Sequence, residues 1–467
     1  MTISFDEYRA LGAADLVAAY RTHALSPVEA AETALAAIAA IDPKINAVFH
    51  VAADAALAEA RASQARWLAG RPAGPLDGVP TVVKDGLPMR GVPVYRGSIA
   101  LAAHARPPEF DAPAVARLRE DGAVLLGKTS MCDFGMLGSG YSSMFGPARN
   151  PWDLDRTSGG SSSGSCAAVA AGLVPVAVGT DIVGSIRLPA SFCGLAGLKP
   201  SYGRVPLYPN SSPAAVAGPL ARNVADMALL LGTIARPDPR DFAALPYDPN
   251  LAAALAAGPP VPGRVGVLRS IGFGPDLDPE VAALVAAALD RLADLGWALE
   301  EVASPVTPED AATLEDFYRL RPLAELDALP EDARRAATVL DAWSGEARAF
   351  TGLQHYRQFL KTQEVRERML ALAAPFDLLA LPTVPVPAYA AELPTLPGQS
   401  LHAPFANTLL FNLTEQPAVS LNCGFTRAGL PVGLQLVGRR HDDAGLLRLA
   451  HALEGALGLR PDWPDLT

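Results

Sequence analysis

A lysine ends an apolar run at Pro80-Thr81-Val82-Val83-Lys84-Asp85-Gly86. A lysine so placed either snorkels to solvent or sits in a dry site with a lowered pKa, where it can serve as a base. Two runs of small residues lie downstream. The first, 159–164, holds Ser161, Ser162 and Ser163 between glycines. The second, Gly179-Thr180-Asp181-Ile182-Val183-Gly184-Ser185-Ile186-Arg187, follows an apolar stretch at 175–178. Successive backbone amides in such a turn can converge on one point and hold an oxyanion. Ser185, near its end, has the chemistry of a nucleophile once a base is at hand.

Two other patterns compete for attention. Residues 122–129, GAVLLGKT, fit the phosphate-loop spacing G-x-x-x-x-G-K-[ST]. That motif needs a backbone loop between its glycines, and the four inner residues here are themselves strand-like. A turn, a buried strand and another turn are expected instead. Gly160-Ser161-Ser162-Ser163-Gly164 fits the G-x-S-x-G nucleophile elbow, with Ser162 at its centre. The elbow needs a strand before it and a histidine later. The preceding residues 152–158 read as a polar turn, and none of His355, His402, His441 and His451 has a distinctive sequence setting. By composition alone, the Ser/Gly run reads as a flexible loop.

The elements around these residues alternate. Helices are expected at 13–23 and 28–41, the second opened by Ser26-Pro27 and stopped by Asp42-Pro43. A third is expected at 52–69. Strand 80–83, helix 113–121, strand 123–126, helix 166–171 and strand 175–178 follow, a pattern that argues for an α/β sheet. The Pro-rich stretch 236–264 reads as a linker or surface excursion. Beyond it come a strand at 265–268, helices through much of 279–373, strands at 378–382 and 433–437, and a closing helix at 442–457.

Composition narrows the class. Among 467 residues, 38 Lys+Arg face 49 Asp+Glu, a net charge of −11, and 50% are hydrophobic. The hydrophobic share excludes whole-chain disorder. The acidic balance argues against a nucleic-acid binder or a polybasic membrane protein. Cys132, Cys166, Cys193 and Cys423 show no C-x-x-C spacing. No signal peptide or membrane span is visible, since the apolar run 166–179 falls short of the ~20 residues a span needs. A cytoplasmic protein is expected.

Taken together, the segments resemble the amidase signature family. Residues 156–200 look like its signature region almost end to end, with Gly159 to Gly164 standing for its Gly-Gly-Ser-Ser-Gly-Gly and Gly179 to Arg187 for its Gly-Thr-Asp-x-Gly-Gly-Ser-x-Arg. Residues 78–86 are similar to its G-[IV]-P-x-x-[VI]-K-D-N, and 125–130, 138–152, 218–222 and 429–433 also fit. The resemblance is weakest between about 236 and 375. Three positions depart from it: Val183 and Ser163 stand where the family has Gly, and Gly86 where it has Asn.

The resemblance implies one α/β domain over 1–467, built on a single large mixed twisted sheet covered by helices on both faces. An N-terminal helical segment would occupy 1–69 and a helical insert about 279–373. It implies a Ser-cisSer-Lys triad of Ser185, Ser161 and Lys84. Ile182, Val183 and Gly184, with Ser185, inherit the oxyanion hole. Ser162, Met136 and Tyr141 are the further substrate-side candidates, and Phe317 and Tyr318 would also suit an apolar or aryl acyl group. The reaction implied is hydrolysis of a carboxamide, with esters, anilides and carbamates (a urethanase) within reach of the same machinery. The alternative is the amidotransferase subunit that makes ammonia for tRNA-dependent Gln or Asn formation. No metal or other cofactor is expected. The expected partner is a small-molecule amide, ester or carbamate, with no nucleic acid and no membrane; a homodimer is compatible with the sequence.

Overall fold

The computed structural model describes residues 3–210, 212–459 and 463–466. Eleven strands form one sheet: β1 Val48–Val51, β2 Pro80–Lys84, β3 Val124–Thr129, β4 Val176–Asp181, β5 Ala196–Lys199, β6 Val216–Ala221, β7 Arg264–Val267, β8 Ala298–Glu301, β9 Leu378–Pro382, β10 Ala418–Phe425 and β11 Pro431–Val437. Their order is β1-β3-β2-β4-β6-β5-β10-β11-β9-β7-β8. β2 runs parallel to β3 and to β4, and β9, β7 and β8 form a second parallel group; the remaining pairs are antiparallel. The sheet is therefore mixed, with helices packed on it.

β2, β3 and β4 read as near-continuous apolar runs because helices cover both faces of a parallel sheet. Every residue of β2 and β3 is buried. Their carboxyl ends point the same way, so Lys84, Thr129 and Asp181 finish on one side of the sheet. Open α/β sheets place their chemistry beyond that edge.

Helix α1, Ser163–Ala170, leads from the serine run back into β4. All its residues are buried, and they are small for a reason. A Cβ on Gly164 would stand 2.2 Å from the Ala47 carbonyl oxygen and 2.7 Å from the Ser130 nitrogen. Helix α2, Arg187–Cys193, starts just after Ser185. The stretch 279–373 contributes helices and also β8, and 1–69 contributes β1 among its helices.

Several local expectations change. The helix that starts at Pro27 runs on to Ile45 through Pro43. It ends at Asn46, whose φ is +53°, and the Asp42 carboxylate receives the Ala47 and Val48 amides. Proline near a helix end removes one donor without breaking the last turn. Residues 153–157 form a short strand paired with 149–150 rather than a turn. The Ser/Gly run is no flexible loop, since Ser161, Ser162 and Ser163 are all buried.

Candidate active site

Lys84 closes β2 with its side chain fully buried. Its Nζ donates to Ser161 Oγ at 2.7 Å, Thr180 Oγ1 at 2.8 Å and Ser162 Oγ at 3.0 Å. Burial pushes its pKa down to about 7, against the pull of Asp181. Neutral hydroxyls surround the amine without a carboxylate in direct contact, so hydrogen bonds hold it while desolvation favours its uncharged form. The Gly160–Ser161 peptide is cis.

Ser185 follows the turn after β4. Its side chain is 1% exposed, and its hydroxyl has no hydrogen-bond partner among the described residues. The Ser162 amide donates to the Ser185 carbonyl at 3.1 Å, which ties the two serine segments together.

Asp181 builds the turn. Its carboxylate receives the Gly184 amide at 2.7 Å, the Ile186 amide at 3.1 Å and both Arg187 Nε and Nη2 at 3.0 Å. Asn412 Nδ2 adds a bond at 2.9 Å. Burial works to raise the Asp181 pKa, but Arg187 and Asn412 outweigh it and hold it at about 2. Arg187 is itself buried and reaches Gln435 Oε1 at 2.7 Å. From helix α3, Ala406–Leu413, Thr408 donates its hydroxyl to the Val183 carbonyl at 2.6 Å. The Gly184 amide is thus committed to Asp181. Among the described residues no such bond engages the amides of Ile182, Val183 and Ser185. The positive φ of the turn, +136°, falls on Gly184 and not on Val183.

The substrate-side candidates separate. Met136 and Val183 are buried in one apolar cluster with Phe134, Tyr318 and Phe405, and Tyr141 and Phe317 pack against it. Ser162 lies elsewhere: its hydroxyl accepts from Lys84 and donates to the Thr180 carbonyl at 3.2 Å, so it holds the lysine. The Ser163 hydroxyl donates to the Ser130 carbonyl, away from the amine. Residues 132–137 close over the site. A Cβ on Gly135 would come within 3.2 Å of Ser161 Oγ, and Arg321 donates to the Phe134 carbonyl and to Met136 Sδ, each at 3.2 Å. In the GAVLLGKT segment, Lys128 donates to the Asp85 carbonyl at 2.8 Å from within β3. Thr180, Asn412 and Thr408 escape the sequence reading. Only Thr180 and Asp181 lie inside the matched run, whereas Asn412 and Thr408 arrive from a distant helix.

The family model described as Amidase matches residues 29–447. A glutamyl-tRNA(Gln) amidotransferase subunit from Myxococcus xanthus is 40% identical over 462 residues, covering 92% of this chain and 93% of that one. Among solved structures, a bacterial aryl acylamidase of the amidase signature family superposes with a TM-score of 0.88 at 29% identity, covering 96% of each chain. A 6-aminohexanoate cyclic dimer hydrolase superposes with a TM-score of 0.86 at 31% identity, covering 98% of this chain and 99% of that one.

These similarities correct one expectation. The acidic balance was a reason to expect no nucleic-acid partner, yet a relative aligned over nearly its whole length belongs to an enzyme named for a tRNA. Net charge is a sum over the whole surface, and it does not report what a protein meets in an assembly. Among the described residues, no helix is long and apolar enough to cross a membrane.

Proposed function

The chain belongs to the amidase family, and from that premise we propose that it hydrolyses a carboxamide C–N bond through an acyl-enzyme on Ser185. The observation that carries this reading is the buried Lys84 amine, 2.7 Å from Ser161 Oγ beside the Ser185 turn. Neutral Lys84 takes the Ser161 proton while Ser161 takes that of Ser185, so the lysine and serine together replace the histidine of other serine hydrolases. Ser185 Oγ attacks the carbonyl carbon. The oxyanion faces the uncommitted amides of Ile182, Val183 and Ser185. The C–N bond breaks as the leaving amine receives its proton through Ser161, and water then hydrolyses the ester.

For the setting, the curated relatives favour the corresponding subunit of a glutamyl-tRNA(Gln) amidotransferase. In that role the amide is glutamine's, and the ammonia released serves a tRNA-linked product within a complex. A second reading, a stand-alone hydrolase of apolar amides, anilides or carbamates, is supported by the superposition on the aryl acylamidase and by the apolar lining around Val183 and Met136.

Active-site labelling tests the chemistry. A fluorophosphonate should modify Ser185, and Lys84→Ala should abolish the label. Label on Ser162 that is indifferent to Lys84 would overturn the triad. Co-purification then tests the setting. Two partner proteins, with glutaminase activity that needs them, support the amidotransferase reading. Full turnover of aryl amides by the isolated chain supports the stand-alone one.

A further inference from the structure

The helix Pro308–Asp327 belongs to the stretch that matches the family motifs least, yet one of its side chains reaches the catalytic centre. Arg321 is 13% exposed. Its Nη2 donates to the Phe134 carbonyl and its Nη1 to Met136 Sδ, each at 3.2 Å. The guanidinium thus grips the chain on both sides of Gly135. Gly135 lies against Ser161: a Cβ there would stand 3.2 Å from Ser161 Oγ and 3.7 Å from Ser161 Cβ. Met131 completes the wall. Its Cε is 3.2 Å from the same point, and its Sδ is 3.2 Å from where a Cβ on Gly86 would stand, two residues past Lys84.

The loop needs that grip. Phe134 has φ +48°, a conformation that a bulky L residue seldom adopts and that persists only where its surroundings impose it. Its amide donates to the Arg96 carbonyl at 2.8 Å, and its ring lies under the Arg96 guanidinium at 5.0 Å. Its carbonyl is the group that Arg321 holds. Glu325, one turn beyond Arg321, lies 3.1 Å from Arg321 Nε and pairs with Arg96 as well. One carboxylate between two guanidiniums leaves a net positive charge beside the loop. Around Lys84, Asp181 at the end of β4 favours the ammonium and Arg321 opposes it. Cys132 in the loop and Cys166 in α1 stay protonated, because burial pushes both thiols up. Lys128 in β3 is paired with Asp85 at 3.6 Å.

We infer that Arg321 is a positioning residue for the proposed acyl transfer: by holding Phe134 and Met136 it keeps Gly135 packed on Ser161, which fixes that hydroxyl beside Lys84 and keeps water from the amine. The inference rests on the proposed reaction, since that reaction gives Ser161 its proton-passing role. Without the grip, Ser161 gains room to turn away from Lys84, which slows the reaction at every pH. Entry of water and loss of a nearby cation both favour the ammonium, so the acid limb of the rate moves to higher pH.

A fluorophosphonate is the probe, and its rate of reaction at Ser185, followed by mass spectrometry across pH, is the readout. Arg321→Met is compared with Arg319→Met, the same substitution two residues earlier on the helix. Arg319 is also 13% exposed, but its ion pairs go to Glu315, Asp316 and Glu346. Arg321→Met should lower the plateau rate and move the acid limb up. A rise of one unit from 7 cuts the neutral fraction at pH 7 about fivefold. Arg319→Met should keep the wild-type limb and plateau. Should Arg321→Met not fold, Arg321→Lys carries the test. It keeps a cation but replaces the planar fork with a single ammonium, so the plateau should fall with a smaller move of the limb. A limb and plateau equal to those of Arg319→Met overturn the inference while the triad stands. A lower plateau with an unmoved limb in Arg321→Met marks a purely structural loss and overturns it too. Wild-type protein that takes no label at Ser185, or a label that Lys84→Ala leaves intact, overturns the reaction and the inference with it.

Discussion

In the proposed reaction Lys84 accepts a proton and so must be an amine, and burial brings its pKa to about 7. Below that pH the ammonium predominates and cannot serve. The value of kcat/KM should therefore fall as pH drops through about 7 and level off above it. A pH–rate series checks this, since kcat/KM reports the free enzyme's essential groups. An acid limb near the ordinary lysine value would show that the site does not desolvate the amine. Gly184 poses a different test. Its φ of +136° is one that L side chains rarely adopt, and a Cβ there would stand 2.0 Å from Thr408 Oγ1. Gly184→Ala must move the turn that aims the amides. Loss of one oxyanion donor costs roughly 10²–10³ in rate, so a fall in kcat of that order, with KM little changed, is expected from steady-state kinetics. Val183 carries no such strain, which is why a β-branched residue is tolerated there.

Each element is held to its neighbours by groups the reaction never touches. Asp181 joins the end of β4 to α2 through Arg187 and to α3 through Asn412. Removing one partner of a buried ion pair leaves an uncompensated charge, worth about 3–5 kcal/mol. Asp181→Asn should lower the denaturation midpoint accordingly and abolish fluorophosphonate labelling, whereas Ser185→Ala should abolish labelling with little loss of stability. Thermal melts of the two variants separate these outcomes. The same elements show what the sequence discloses. Strands β2, β3, β4 and β9 are legible because they are apolar runs bounded by turns. Strand β6 is not: it contains Gly218 and Pro219, ordinary strand breakers, yet a Cβ on Gly218 would lie 2.4 Å from the Leu198 carbonyl oxygen, so glycine is what lets β5 approach. β8, Ala-Leu-Glu-Glu, is hidden because an exposed edge strand carries charge instead of apolar alternation. In the site, Lys84, Ser161 and Ser185 are picked out by the resemblance to the family's motifs, and only that resemblance prefers Ser161 to Ser162. The lysine-holding role of Ser162 is not legible, because it depends on which way a hydroxyl points after folding.

At the scale of the whole molecule, the fold buries lysines it cannot easily charge. Burial brings Lys199 as well as Lys84 to about 7, with Arg187 adding to the effect at Lys199, and brings Lys128 to about 8 despite Asp85. In the unfolded chain each titrates near 10.4. Between those limits the unfolded state binds more protons than the folded one, so stability rises with pH. The penalty is fully present below about 7 and fades toward the unfolded value, with a slope of roughly 1 kcal/mol per pH unit for each lysine. Buried thiols oppose this at higher pH. Burial pushes Cys132 up to about 12 and raises Cys166, Cys193 and Cys423, so the unfolded thiols ionise first and stability is lost once pH passes their unfolded value. The melting temperature should therefore climb from pH 7 toward the unfolded thiol value of about 8.5 and decline beyond it. Lys84→Met removes one titrating lysine, so it should flatten the climb without shifting the upper turn, while Cys132→Ala should leave the climb intact and ease the decline. Scanning calorimetry of the three proteins at matched ionic strength reads both limbs, and a climb unchanged in Lys84→Met would place the depressed lysines elsewhere than at position 84.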